Sequence, residues 1–157
     1  MASQTDIILC DFNNPLHRNK VIELIDSYMR DPMGGGKPMP EQNKQALVDG
    51  LANHPGAFVL FAVKNNEFIG VTTCFVHFST FKVKPYINIH DIAVLPSFRG
   101  LGIGRKLLQK VIEIAQERNY CKVTLEVRDD NKNAQVLYNS LGFNDCEPRM
   151  YYWEKLV

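Results

Sequence analysis

The chain has 157 residues, the size of one ordinary domain, and its 45% hydrophobic and 22% charged content can bury a core, which excludes a disordered chain. Eighteen Lys and Arg against seventeen Asp and Glu leave a formal charge of +1, so the basic field of a nucleic-acid or anionic-membrane binder is missing and any positive patch must be local. No apolar run approaches the roughly 20 residues that span a bilayer, and Met1 to Asp6 is polar rather than signal-like, so the expected protein is cytoplasmic, with no membrane or nucleic-acid partner.

In chain order, Ile7 to Cys10 is a short apolar run that ends in a turn rich in Asn and Pro, which predicts a first strand. Leu16 to Arg30 carries Val21, Leu24, Ile25 and Tyr28 at helical spacing. Asp31 to Pro40, with three glycines and three prolines, is a loop, and Glu41 to Asn53 is a second helix with Ala46, Leu47, Leu51 and Ala52 on one face, stopped by His54-Pro55-Gly56. Phe58 to Val63 and Phe68 to Ser79, joined at Lys64-Asn65-Asn66, form a hairpin, and Tyr86 to Val94 is a further strand. After the glycine-rich Arg99 to Gly104, a strongly amphipathic helix runs through Leu107, Leu108, Val111, Ile112, Ile114 and Ala115 and stops near Asn119. Lys122 to Val127 alternates as a strand. Asn131 to Leu141 is a short helix stopped by Gly142, and two brief strands follow at Phe143 to Cys146 and Tyr151 to Lys155. Cys10, Cys74, Cys121 and Cys146 have no Cys-x-x-Cys spacing, and three lie in apolar segments, so they read as reduced core residues. The whole is a single mixed α/β domain over residues 1–157, with no repeat and no linker.

Arg99-Gly100-Leu101-Gly102-Ile103-Gly104 lies between a strand and the first turn of the best helix. Such a junction offers free backbone N–H groups and the positive end of a helix dipole, which suits a pyrophosphate, and Arg99 and Arg105 add charge. A Walker loop fails because Gly104 is followed by Arg105-Lys106, and a dinucleotide fingerprint fails because Arg105 or Leu107 stands where glycine is needed.

Arg99-x-x-Gly102-x-Gly104, preceded by His90-Asp91-Ile92-Ala93-Val94-x-Pro96, resembles the acetyl-CoA signature of the GCN5-related N-acetyltransferases. A second motif, Asn131-x-x-Ala134-x-x-Leu137-Tyr138-x-x-x-Gly142-Phe143, resembles that family's helix after the fifth strand. The resemblance covers roughly Tyr86 to Phe143 and implies the family's α/β fold: a central twisted mixed sheet of about seven strands flanked by four helices, in the order β-α-α-β-β-β-α-β-α-β-β. It implies acetyl-CoA as acetyl donor and CoA as product. Pantetheine would lie along Ile92, Ala93 and Val94, with a backbone N–H near Val94 polarising the thioester carbonyl. Pyrophosphate would lie on the amides from Arg99 through Gly100, Leu101, Gly102, Ile103 and Gly104 to Arg105. Asn131 matches a cofactor-contacting asparagine, and it is also a good helix N-cap; both roles are open. Ala134 belongs to the same motif. Tyr138 matches the tyrosine that protonates the departing thiolate, and as a plain residue on an amphipathic helix it is also a core aromatic.

The family often places a glutamate base where this chain has His90. An ordinary imidazole, with a pKa of about 6.5, serves as a base at neutral pH. A polar residue without catalytic duty is the competing reading, and Asp91 or His77 are substitutes. A metal is not expected, because His90 and Asp91 are adjacent on a strand, face opposite ways and lack a third ligand. The family reads its acceptor with segments that here are Tyr28 to Pro40, Thr80 to Pro85 and Glu147 to Met150. Tyr28, Met29, Met33 and Asp91 are the candidate contacts, and Met29, Met33 and Met39 are either an adaptable apolar lid or loop packing. The acceptor is a primary amine on a small molecule, an amino acid or a peptide. No Cys or Ser stands beside a base, which favours direct attack in a ternary complex. Homodimers are common in the family. The alternatives are a noncatalytic CoA-binding or interaction module of the same fold, and a nucleotide-binding domain for another phosphate ligand.

Overall fold

The computed structural model describes residues 4–157, so the first half of the polar Met1 to Asp6 segment lies outside the described residues. The described chain divides into two compact units, one ending at Glu126 and one spanning Val127–Val157. In the first unit the element order is β1 (Thr5–Leu9), α1 (Pro15–Arg30), α2 (Glu41–Asn53), β2 (Ala57–Lys64), β3 (Glu67–Ser79), β4 (Lys84–Val94), α3 (Ile103–Glu117) and β5 (Val123–Leu125). Single-turn 3₁₀ segments sit at Pro32–Gly34 and Pro96–Phe98. The five strands form one sheet in sequence order, antiparallel from β1 to β4, with β4 and β5 parallel.

Local chemistry sets these boundaries. The Asn14 side chain accepts the Leu16 N–H and Pro15 occupies the first turn, so α1 starts there. Asn65 and Asn66 both have positive φ, the conformation of the tight turn whose twist suits a hairpin, so β2 folds directly back into β3. Val59, Phe61 and Val71 point to the sheet face covered by Val21, Leu24 and Ile25 of α1 and Val48 and Leu51 of α2. The buried face of α2 is therefore Val48 and Leu51, with Leu47 partly buried, whereas Ala46 and Ala52 are exposed. α3 lies on the opposite face, where Leu107 packs over Gly70, and it buries Leu108, Val111 and Ala115 as well. Each such Val, Leu, Ile or Phe side chain contributes about 1.5–3 kcal/mol through its removal from water.

Among the described residues the sheet has five strands, not the expected seven. Only Val123–Leu125 of the predicted Lys122 to Val127 strand pairs, against Ile87–Ile89. The tail segments 143–146 and 151–155 carry no ladder; Tyr151, Tyr152 and Trp153 are all exposed there, so alternation in sequence is not matched by burial. In the second unit, α4 (Lys132–Ser140) is capped at both ends. The Asn131 side chain accepts from the Ala134 N–H at 3.2 Å. At the other end, Gly142 with φ 89° lets its own N–H reach Asn139 and the Phe143 N–H reach Tyr138. Cys10 and Cys74 are core thiols, which burial pushes up to about 11 and about 12, but Cys121 is only partly buried and Cys146 is exposed, so two of the four are not core residues.

Candidate active site

The β4 strand outruns its parallel neighbour. Pairing with β5 ends at Ile89↔Leu125, while β4 continues to Val94 paired, among the described residues, with β3 alone. The Leu95 N–H donates to the Ile69 carbonyl of β3, so strand alternation turns the N–H groups of Ile92 and Val94 away from β3, toward the open edge. Two backbone donors and the Ile92 carbonyl thus line a strip outside the ladder that an extended ligand amide can join.

That strip runs into residues 99–105. Gly102 is the N-cap of α3 with φ 76° and no side-chain cap, and Gly100 has φ 75°. A Cβ built on either would meet nothing within 4 Å, so the glycines serve the left-handed backbone and leave the space beside it open. The first-turn amides of α3 face that space with the dipole's positive end and no acidic side chain in the turn. Ile103 is buried and anchors the helix start, while Leu101 is exposed. The Arg99 amide itself is engaged by the Pro96 carbonyl at 3.3 Å, so the run of open amides begins after Arg99. The Arg99 side chain closes the end of the strip: its Nε donates to the Val94 carbonyl at 3.1 Å.

His90 and Asp91 stand on the same face, contrary to the alternation expected of neighbours. Thr73 pairs with Asp91 but Cys74 pairs with Ile89, so His90 is the extra residue of a β-bulge. The His90 ring meets Phe75 edge-on at 5.7 Å, and the Asp91 carboxylate accepts the Thr73 hydroxyl. Thr73 and Phe75 alternate on one face of β3, the face covered further along by α1 and α2. The Asp91 N–H donates to the Thr73 hydroxyl at 3.1 Å, and the Asp91 carbonyl accepts from Thr72 at 2.8 Å, so the bulge is fastened from below. His90 is exposed above it, and His77 stacks on Tyr86 at 5.4 Å further along the same face. Among the described residues no group of three His, Cys, Asp or Glu is placed to hold a metal ion.

The Tyr28 to Pro40 segment is tied down at both ends. Asp26 accepts from the Met39 N–H at 2.6 Å and from Arg30 at 2.9 Å, and the first of these bonds chiefly holds its carboxyl below the usual range. Asp31 accepts from the Met33 N–H at 3.0 Å. Met39 is buried in the core and Met29 packs against it; Met33 is partly buried. A narrow cleft between α1 and the end of β4 is lined by Leu24, Tyr28, Ala93, Val94 and Arg99. A larger hollow of about 360 Å³ between α1 and the β2–β3 turn, around Lys20, Glu23 and Glu67, holds none of the expected site residues. In the second unit, Tyr138 is buried with its ring 6.1 Å from Phe143, and Asn131 acts as the cap of α4.

The model of the acetyltransferase (GNAT) family matches residues 21–143. The chain belongs to that family. It is 34% identical over 93 residues to a ribosomal protein bS18-alanine N-acetyltransferase of Haemophilus influenzae, an alignment that spans 59% of each chain. The chain therefore covers about three-fifths of that relative's length. Its fold is shared with a crystal structure of a probable acetyltransferase, at TM-score 0.83 and 21% identity over 97% of this chain and 98% of that one. It is shared too with the aminoglycoside N-acetyltransferase AAC(6')-Iy in complex with CoA, at TM-score 0.75 and 20% identity over 99% and 98%.

Two features of this GNAT chain differ in how they show in its sequence. Hydrophobic positions 87, 89, 92 and 94 slip phase between 89 and 92, a visible mark of the bulge that turns His90 and Asp91 to one side. The partner of Arg99, Asp31, lies 68 positions away and left no local signal.

Proposed function

We propose that this chain is an acetyl-CoA-dependent N-acetyltransferase acting as one domain on a primary amine of a small molecule, an amino acid or a peptide end. The reading is carried by one observation: an unpaired strand edge at Ile92–Val94 that leads into an open glycine cradle at the start of α3. The residues fit coenzyme A. The edge offers N–H and C=O groups for the pantetheine amides, and the amides from Gly100 to Arg105 suit the pyrophosphate. Bound acetyl-CoA supplies an activated acetyl thioester.

The Val94 N–H would donate to the thioester carbonyl oxygen and steady the charge that develops there. His90, exposed on the bulge, takes a proton from the acceptor ammonium, and Asp91 beside it attracts that cation. The freed amine would attack the carbonyl carbon, the new C–N bond replacing the C–S bond; Tyr138 would protonate the leaving thiolate, and the second proton shed by the nitrogen would restore the phenol. The Tyr138 role, and those of Asn131 and Ala134, rest on the resemblance of the Asn131–Phe143 motif. Met29, Met33 and Tyr28 belong to the acceptor wall in this reading. A related protein is named for a ribosomal-protein alanine and a structural neighbour for aminoglycosides, both amine-bearing acceptors.

Thiol release from acetyl-CoA across a panel of small amines, amino acids, alanine-ended peptides and aminoglycosides tests the activity. Amine-dependent release with intersecting double-reciprocal lines is the expected outcome. Coenzyme binding with no release for any amine would reduce the protein to a noncatalytic coenzyme A module, and parallel lines would replace direct attack with an acyl-enzyme.

A further inference from the structure

On the coenzyme A reading of residues 99–105, Arg99 joins the cofactor loop to the acceptor loop. Besides its bond to Val94, Arg99 donates from Nη2 to Asp31 Oδ2 at 2.7 Å. Asp31 belongs to the other loop. It closes α1, where its N–H donates to the Tyr28 carbonyl at 3.0 Å, and it caps the 3₁₀ turn, where Oδ1 accepts the Met33 N–H. Its carbonyl accepts from Gly34 at 2.8 Å and Gly36 at 3.1 Å. One residue therefore organises the start of the acceptor loop and spends its remaining carboxylate oxygen on the residue that opens the phosphate loop.

Exposed ion pairs typically contribute little to stability. This one is asymmetric: the Asp31 side chain is 16% exposed and held by backbone, while that of Arg99 is 50% exposed. The carboxyl of Asp31 lies below its usual range, first because of the Met33 N–H and then because of Arg99. A guanidinium has five donors in a planar fork, and Nε and one Nη2 hydrogen are engaged here, which leaves the Nη1 side of the fork for a phosphate.

We propose that Asp31 is a positioning residue that aims Arg99 at the cofactor's phosphates and, through the same carboxylate, couples filling of the cofactor loop to ordering of residues 33–39. Such coupling is reciprocal: coenzyme A quiets the acceptor loop, and an acceptor held by that loop tightens coenzyme A by the same factor.

The test is amide hydrogen exchange on the full chain with and without saturating CoA. In the unaltered protein CoA is expected to slow exchange at 100–105 and, about threefold or more, at 33–37 and 39. Asp31→Asn keeps an oxygen for the Met33 N–H and loses the charge; in it the slowing at 100–105 persists, the slowing at 33–39 falls by more than half, and the CoA Kd rises about three- to tenfold. Arg99→Lys, which keeps charge but not the fork, should give the same uncoupling and serves if Asp31→Asn folds poorly. Protection at 100–105 without any at 33–39 in the unaltered protein overturns the coupling and leaves the cofactor reading standing. So does uncoupling in neither variant. Protection at neither segment overturns both.

Discussion

The two glycine-rich loops of this chain solve opposite problems. At Gly34 a Cβ would lie 1.9 Å from the Tyr28 carbonyl oxygen, so that glycine exists to let two backbone segments touch. At Gly102 a Cβ would meet nothing, yet φ is 76°, so that glycine exists to bend the chain beside empty space. Residues 31–40 are held by carboxylates, Asp26 at one end and Asp31 at the other. At the start of α3, by contrast, the N-cap Gly102 brings no side chain to cap the helix. The first loop is fastened by its own carboxylates, whereas the second leads into an uncapped helix N-terminus of the kind that suits an anion.

Substitution at the two glycines should separate these roles most sharply. Gly34→Ala forces backbone against backbone and is expected to lower stability by about 1–3 kcal/mol, read as a drop in Tm, with CoA affinity largely kept in the folded fraction. Gly102→Val puts a β-branched residue in the left-handed region at a cost of at least about 1–2 kcal/mol, and it should weaken CoA at least about tenfold by calorimetry. Equal loss of stability and CoA affinity in both variants would erase the distinction.

Tyr138→Phe tests the proposed proton donor. Turnover should fall at least about tenfold with CoA affinity nearly unchanged; unaltered turnover would remove Tyr138 from the reaction. The smallest effect concerns pH. Asp26 and Asp31 have carboxyls lowered in the fold, so their contribution is present above the unfolded carboxylate range near pH 4 and is lost as pH falls through their depressed values. Amide exchange in residues 33–39 should accelerate at acid pH before the sheet opens, and Asp26→Asn should flatten that dependence. A pH-independent loop would contradict the carboxylate tie.

Much of this was legible in the sequence, for identifiable reasons. Periodicity locates α2 at 41–53 and α3 through Leu107, Leu108 and Val111, because amphipathic helices must repeat near 3.6. Asn65-Asn66 announces a hairpin because both residues tolerate positive φ. The glycine run marks the left-handed turn at Gly100 and Gly102 ahead of α3 because few other residues adopt that backbone. The tail misleads for the converse reason: segments such as Tyr151 to Lys155 have strand composition, but composition does not supply a partner. The Asp31–Arg99 pair was illegible because ion pairs between distant loops depend on tertiary folding alone.

The most direct test of the central claim is titration of the isotope-labelled protein with CoA, followed by backbone amide resonances. Saturable shifts at Gly100 to Arg105 together with Ile92 and Val94, and little change around the Lys20–Glu67 hollow, are the predicted result. Saturable binding that shifts other amides while leaving the β4 edge and the start of α3 unmoved, or no binding at all, would contradict it.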